Sequence, residues 1–162
     1  MKTLILMRHA KSDWGDPRLP DRARALNARG RRAATALGHW LQSQDLHPDQ
    51  ILCSTAERTQ ETCRLLNLPL APDLHEALYL AEAEEMLSTL RHATGNLVLM
   101  LGHNPGIAEF ADLVLTAPPA HDRFDDYPTG ATLIARFDIA EWSALQPGTG
   151  TVLHFLTPHD LP

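Results

Sequence analysis

The sequence predicts an α/β layered fold in a single domain spanning residues 1–162. Short apolar runs, too short for helices, alternate along the chain with segments in which apolar residues recur at helical spacing. The length is close to the usual size of one domain, and 44% hydrophobic with 21% charged residues is typical of a globular protein. These observations argue against disordered, collagen-like and membrane-spanning classes.

The first strand and the first helix flank a polar loop. Thr3–Met7 is a nearly unbroken apolar run, which predicts a strand buried on both faces. Residues 15–27 carry two prolines and many charges, as expected of a surface loop. Helical spacing of apolar residues predicts a helix over 28–44, with Asn27 as its N-cap.

The middle of the chain repeats the strand–helix pattern. Gln50–Cys53 predicts a second short strand, followed by a helix that begins near Ala56 and reaches Leu66. Two prolines between 69 and 72 indicate an irregular or edge segment, and Glu82–His92 has the spacing of a helix.

The last third of the chain predicts three strands and one helix. Asn96–Leu101 is a third buried strand, and Gly102–Pro105 turns the chain into a helix that runs to about Leu115, with Pro105 in its first turn. A loop rich in proline and acidic residues begins at Pro118. The remaining strands are predicted at 131–137 and 151–156.

Three polar clusters follow three of the predicted strands. They are Arg8-His9, Ser54–Arg58 and Gly102–Pro105. In open α/β sheets, ligands bind in the crevice beyond the carboxyl ends of the strands. We therefore expect the three clusters to meet at one edge of the sheet.

The residue types in these clusters suit phosphoryl transfer. A transferring phosphoryl group carries negative charge, so its catalysis needs cations and hydrogen-bond donors around its oxygens. Arg8 and Arg58 offer fork-shaped donors and lower the pKa of a neighbouring imidazole, which leaves a neutral His9 as a nucleophile. His103 can donate to the same phosphate, and the helix N-terminus after Asn104 adds backbone N–H groups to substrate binding.

The same residues resemble a known family. Arg8–Ser12 after a first strand looks like the RH signature of the histidine phosphatase superfamily, and Ser54–Thr62 and Gly102–Pro105 resemble its second-arginine and second-histidine segments, in the family's order. Three further segments resemble the small SixA-type phosphohistidine phosphatases, namely Arg24–Asn27 with Gly30, Ala77–Ala81 and Pro128–Ala131.

The resemblance implies a fold and a mechanism. The fold would be a three-layer sandwich, with a mixed, mostly parallel central sheet flanked by helices. His9 would accept the phosphoryl group and water would hydrolyse the intermediate, while Arg8, Arg58 and His103 hold the phosphate. Arg24 would support the rim of the pocket. The resemblance implies neither a metal nor a cofactor.

Many members of the superfamily use a carboxylate to protonate the leaving group, and Glu76 is the candidate here. A weak acid suits a phosphohistidine substrate, because a protonated imidazole leaves without a strong proton donor whereas an alkyl phosphate needs one. We expect the substrate to be a phosphorylated protein carrying phosphohistidine. The alternative is a small phosphorylated metabolite, such as a sugar or nucleotide phosphate. Inorganic phosphate is the product in both cases.

Two alternatives outside this mechanism remain open. Cys53 and Arg58 bracket a strand-to-helix turn as in cysteine-dependent phosphatases, but only four residues separate them where that family has five, and none is glycine. A non-catalytic module could keep the fold and bind phosphoproteins. Each motif alone could also have a purely structural role, since Arg58 could pair with Glu61 and Gly102–Pro105 could be a simple turn.

Charge and cysteine content limit the partners and the cellular compartment that we expect. The formal net charge of −6 disfavours nucleic acid and anionic membranes as partners. The apolar run at the N-terminus ends at Arg8, too early for a signal peptide or a membrane span. Only Cys53 and Cys63 are present, in apolar-periodic segments, so we expect reduced thiols and a cytoplasmic location.

Overall fold

The computed structural model describes residues 1–162 and contains one six-stranded sheet and four α-helices. The strands are β1 (Lys2–Arg8), β2 (Gln50–Ser54), β3 (Asp73–His75), β4 (Leu97–Gly102), β5 (Thr132–Phe137) and β6 (Thr151–Leu156). The helices are α1 (Ala28–Ser43), α2 (Glu57–Leu65), α3 (Ala83–Arg91) and α4 (Gly106–Val114). Single 3-10 turns occur at Asp21–Ala23, Glu76–Leu78, Trp142–Ala144 and Pro158–Asp160. No helix is both long enough and apolar enough to cross a membrane.

The sheet is mixed and mostly parallel. Its strand order is β3-β2-β4-β1-β5-β6; β1, β2, β3 and β4 run parallel to one another, and β5 is antiparallel to both of its neighbours. Arg8 pairs in register with Gly102, and Cys53 pairs with Leu101. The ends of β1, β4 and β2 therefore lie side by side at one edge, as expected from the three polar clusters.

A hydrophobic core lies on each face of the sheet. Because side chains alternate along a strand, β1 directs Leu4 and Leu6 toward one core and Ile5 and Met7 toward the other. The first core includes the apolar faces of α3 and α4, and the second those of α1 and α2. The result is the three-layer sandwich that the family resemblance implied.

The predicted elements agree with the structure to within one or two residues at their ends. The predicted N-cap is confirmed, since the Asn27 side chain accepts a hydrogen bond of 2.8 Å from the N–H of Gly30. The segment after Pro72 is the three-residue edge strand β3. Pro105 differs from its prediction: it directly precedes α4 as the cap residue instead of lying within the first turn.

Candidate active site

A pocket of about 230 Å³ lies at the carboxyl ends of β1, β2 and β4. It collects six of the seven residues proposed from the sequence: Arg8, His9, Arg24, Arg58, His103 and Asn104. The other lining residues are Lys11, Ser12, Trp14, Asp21, Leu80 and Thr129. Glu76, the seventh, does not line it. Residues that are up to 96 positions apart in the chain thus meet because their strands are neighbours in the sheet.

The backbone around His9 is held from several sides. Its N–H donates to the carbonyl of Gly102 at the end of β4, and its own carbonyl accepts from the N–H of Gly130 at 2.9 Å. The following N–H, of Ala10, donates to the Thr62 hydroxyl on α2 at 3.1 Å. The imidazole therefore projects from a fixed main chain at the junction of sheet and helix.

The surroundings of His9 decide its protonation. Its Nδ1 lies 2.7 Å from the Ala10 carbonyl oxygen, which can only accept a hydrogen bond, so Nδ1 carries the proton and Nε2 keeps a free electron pair. The residue is only 5% exposed. Burial, with smaller contributions from the charges of Arg8 and Arg58, lowers the pKa of His9 to about 3. The arginines act in the predicted direction, but burial is the larger cause.

His103 presents a hydrogen-bond donor beside His9. The two ring centroids are 5.3 Å apart. The Nε2 of His103 lies 2.7 Å from the hydroxyl of Ser54, which also accepts from the N–H of Ala56. If the hydroxyl donates to Nε2, the proton of the imidazole resides on Nδ1, a buried atom with no partner in the chain. Burial first and Arg58 second lower the pKa of His103 to about 3, so this ring is also neutral.

Arg58 and Arg8 reach the pocket from different elements. Arg58, on α2, is 2% exposed and donates to the backbone carbonyl of Asp21 at 2.8 Å and to its carboxylate at 3.0 Å. Arg8 donates to the carbonyl of Tyr127 at 3.2 Å. Glu61, the alternative partner for Arg58, instead forms an ion pair with Arg31 at 2.7 Å.

The buried polar atoms without a partner are concentrated in this pocket. Only four such side-chain atoms occur in the protein: Arg8 Nε, Arg58 Nε, His103 Nδ1 and Asn104 Oδ1. All four belong to residues that line the pocket. Two of them are guanidinium N–H donors and a third is a donor in the tautomer described above. An unsatisfied buried donor is costly, so this arrangement is the one expected where an anion binds.

Asp21 is the main site residue that the sequence did not reveal. Its carboxylate accepts from Arg58, from Arg24 at 3.1 Å and from the hydroxyl of Tyr79 at 2.5 Å. Burial opposes ionisation of Asp21, but these hydrogen bonds outweigh it and hold its pKa well below the usual range. The one available signal was its position three residues before Arg24 in the charged loop.

Glu76, the proton donor expected from the family resemblance, lies outside the lining of the pocket, and its carboxylate is engaged in hydrogen bonds. Its side chain is exposed and forms an ion pair with Arg22, and it also accepts from the Thr55 hydroxyl at 2.7 Å. The hydrogen bonds from Arg22 and Thr55 lower the pKa of Glu76 to about 2. These partners favour the ionised carboxylate.

Arg24 and Asn104 organise the walls of the pocket. The Arg24 guanidinium donates to the Ser12 hydroxyl at 2.6 Å and to Asp21, and it lies 3.5 Å over the ring of Trp14. The rim-supporting role expected for Arg24 stays a prediction. The side-chain amide of Asn104 donates to two backbone carbonyls of the loop at 126 and 127, so its NH2 group holds that loop instead of facing the pocket.

The geometry disfavours Cys53 as a nucleophile. Its side chain is fully buried in the core on the α1–α2 face of the sheet. Burial, reinforced by the nearby Cys63, raises the pKa of Cys53 to about 12. A thiol of this kind is protonated at any physiological pH, and it does not line the pocket.

Comparison with known proteins identifies the class. The family model of the histidine phosphatase superfamily (branch 1) matches residues 4–86. An uncharacterised protein of Mycobacterium tuberculosis is 28% identical over 159 residues, covering 94% of this chain and 99% of that protein. An uncharacterised protein of Mycobacterium leprae is 33% identical over 115 residues, covering 68% and 71% respectively. The chain belongs to the histidine phosphatase superfamily, which places it among the phosphatases.

Within the superfamily, the chain resembles the SixA type. A proposed phosphohistidine phosphatase SixA of Nakamurella multipartitia superposes with a TM-score of 0.79 at 27% identity, covering 97% of this chain and 96% of the other. The protein histidine phosphatase SixA complexed with tungstate gives a TM-score of 0.80 with 98% of each chain covered. Its identity of 19% makes this second likeness one of fold.

Proposed function

We propose that residues 1–162 form one catalytic domain that hydrolyses phosphohistidine on a protein through a covalent intermediate on His9. The observation that carries this proposal is the set of buried donors without partners on Arg8, Arg58 and His103, which surround a neutral imidazole. A neutral nucleophile in a cationic pocket is what attack on a phosphoryl dianion requires. The two free cysteines are buried, which supports a cytoplasmic site of action.

In the first step, the phosphoryl group binds with its oxygens on the two guanidinium groups and on His103 Nδ1. The electron pair of His9 Nε2 attacks phosphorus, and the bond from phosphorus to the leaving nitrogen breaks as the new P–N bond forms. The Ala10 carbonyl stabilises the positive charge that develops on the His9 ring by accepting from Nδ1–H. The imidazole of the substrate, already protonated on its other ring nitrogen, departs with the bonding electrons as a neutral ring.

In the second step, water attacks the phosphorus of the phosphorylated His9. The P–Nε2 bond breaks, its electrons return to the ring, and the water oxygen with both of its protons ends on the released inorganic phosphate. His9 regains its neutral form, so the residue is ready for another cycle. Both steps use only side chains and backbone groups of this chain and water, and we propose that the reaction needs no metal or cofactor.

The preference for phosphohistidine rests on the protonation state of the nearby acids. Hydrogen bonds from Tyr79, Arg24 and Arg58 lower the pKa of Asp21, and hydrogen bonds from Arg22 and Thr55 lower that of Glu76, so both carboxylates are ionised. The pKa of Tyr79 is raised, chiefly by its hydrogen bond to Asp21, so this hydroxyl is a poor acid. An alkoxide leaving group would find no proton here, whereas a protonated imidazole can leave unaided. This difference favours a phosphoramidate over a sugar or nucleotide phosphate.

The test combines the nucleophile with the substrate. Wild type, His9→Ala and Cys53→Ser are assayed on a phosphohistidine protein, p-nitrophenyl phosphate and a sugar phosphate, and 32P retained on the protein is measured after an acid-free quench. We expect label on His9, loss of about 10³-fold or more in kcat for His9→Ala, and near-normal turnover for Cys53→Ser. If His9 carried label but kcat/KM were higher for the sugar phosphate than for the phosphohistidine protein, the substrate would be a small metabolite instead. Absence of label on His9 would favour a non-catalytic binding module.

Glu76→Gln distinguishes the protein substrate from the small-metabolite alternative. We expect kcat/KM for phosphohistidine to stay within about twofold of wild type, because the substitution removes an exposed ion pair with Arg22 and glutamine can still accept from the Thr55 hydroxyl. Arg22→Gln is the matched control for loss of that pair. If Glu76→Gln lowered kcat/KM tenfold or more for alkyl phosphates alone, and Arg22→Gln did not, Glu76 would be a general acid.

A further inference from the structure

A second and larger groove lies beside the catalytic pocket. We call it the basic groove; it has a volume of about 370 Å³ and is lined by Arg8, Lys11, Arg29, Ala33, Arg123, Asp126, Pro128, Thr129, Thr157, Pro158 and His159. It shares Arg8, Lys11 and Thr129 with the catalytic pocket, so the two are continuous. Ala33 and the two prolines are its only apolar side chains, which makes it poorly suited to an apolar ligand.

The charges of the basic groove are unbalanced. Four cationic side chains line it against the single carboxylate of Asp126, and that carboxylate is already paired with Arg123 at 2.8 Å. Lys11 and Arg29 are exposed and form no ion pair or side-chain hydrogen bond. In a chain with a formal net charge of −6, this is a local concentration of positive charge next to the site where a phosphoryl group reacts.

The floor of the basic groove is attached to the nucleophile's strand. The N–H of Gly130 donates to the carbonyls of Arg8 and His9. Gly130 has a φ of +77°, and a side chain there would come within 2.5 Å of Pro158, so the loop and the C-terminal turn are packed in direct contact. The wall is α1, where Arg29 and Ala33 are one helical turn apart on the same face. The groove is therefore built on segments that are attached directly to the backbone of the nucleophile.

We propose that the basic groove binds a second anionic group of the substrate, next to the phosphoryl group that His9 attacks. This inference rests on the proposed function, because it describes the flanks of the same substrate. The shared chemistry is a carboxylate or phosphate that pairs with Arg29 and Lys11. Its source is either acidic residues beside a phosphohistidine or a second phosphate on a small metabolite. The openness of the groove and its continuity with the pocket suit a chain that passes from one to the other.

Arg29→Glu is the test, and Arg32→Glu is its matched control. Both arginines are exposed on the first half of α1 and form no ion pair, but Arg32 does not line the groove. Each variant is assayed on two phosphohistidine peptides that differ only in Glu or Gln on both sides of the histidine. A bisphosphorylated and a monophosphorylated sugar form the second pair. We expect wild type to prefer the Glu peptide, and Arg29→Glu to reduce that preference by about threefold to tenfold.

The outcomes separate this inference from the proposed function. If Arg32→Glu reduced the preference for the Glu peptide as much as Arg29→Glu does, the basic groove would be overturned as a binding site. The same would follow if wild type preferred neither the Glu peptide nor the bisphosphorylated sugar. A preference confined to the bisphosphate would assign the groove to a second phosphate. Calorimetric binding of the Glu and Gln peptides to His9→Ala measures the same preference without turnover. Failure to label His9 therefore counts against the proposed function alone. Equal binding of the two peptides, together with equal turnover of the two sugar phosphates, counts against the groove alone.

Discussion

Acidification should unfold this protein through the two histidines of its active site. His9 and His103 are buried and neutral, each with a pKa of about 3, compared with about 6.5 for an unperturbed histidine in the unfolded chain. Between these two values the unfolded chain binds protons that the folded chain does not. The stability contributed by the neutral rings is therefore complete above about pH 6.5 and is lost progressively as the pH falls toward 3.

The size of the loss follows from this difference in proton binding. Each histidine lowers the free energy of unfolding by about 1.4 kcal/mol for every pH unit below 6.5, which is about 2 kcal/mol at pH 5. The two together give a loss of about 4 kcal/mol between pH 7.5 and 5, a large part of the stability of an ordinary domain. Carboxylates with lowered pKa values, such as Asp21, act below this window because their unfolded pKa is near 4.

Urea unfolding, extrapolated to water at a series of pH values, measures the loss directly. His9→Gln and His103→Gln should each remove about half of the pH dependence, because glutamine cannot take up the proton, and the double variant should be nearly flat between pH 5 and 7.5. His47→Gln, on the exposed surface, is the control for the substitution itself. A wild type that loses less than about 1 kcal/mol, or active-site variants with an unchanged slope, would refute the reasoning.

Two further predictions concern the supports of the pocket. Ser54→Ala removes the 2.7 Å hydrogen bond to His103 and should lower kcat/KM about tenfold, and Ser54→Thr should restore part of the loss. Steady-state kinetics measure both variants. If Ser54→Ala matched wild type, the hydroxyl would not position the ring. Gly106→Ala would place a carbon 1.8 Å from the carbonyl oxygen of Ala81 and should lower the free energy of unfolding, measured with urea, by about 3 kcal/mol. Gly148→Ala, at a position with open space but a φ of +73°, should cost only about 1 kcal/mol, and equal losses would contradict the steric argument.

Much of the fold was accessible from local sequence patterns. The apolar run at 3–7, the helical spacing from 28 to 44 and the cap at Asn27 each depend on residues within a few positions of one another, and the structure agrees with all three. The gathering of Arg8, His9, Arg58 and His103 also followed, because the carboxyl ends of parallel strands share an edge. For that reason the principal cationic and imidazole groups could be named without coordinates.

The protonation states and the pairing of the acids required the tertiary structure. Asp21 meets Arg58 across 37 residues, and Glu76 meets Arg22 across 54, so no local pattern indicated that both carboxylates are held ionised. The low pKa of His9 is set mainly by burial, which depends on the whole packed sheet. The sequence by itself therefore determined the order of elements and the chemical groups at the sheet edge. Only the folded chain decided which groups carry charge, because desolvation and ion pairing arise from contacts between distant segments.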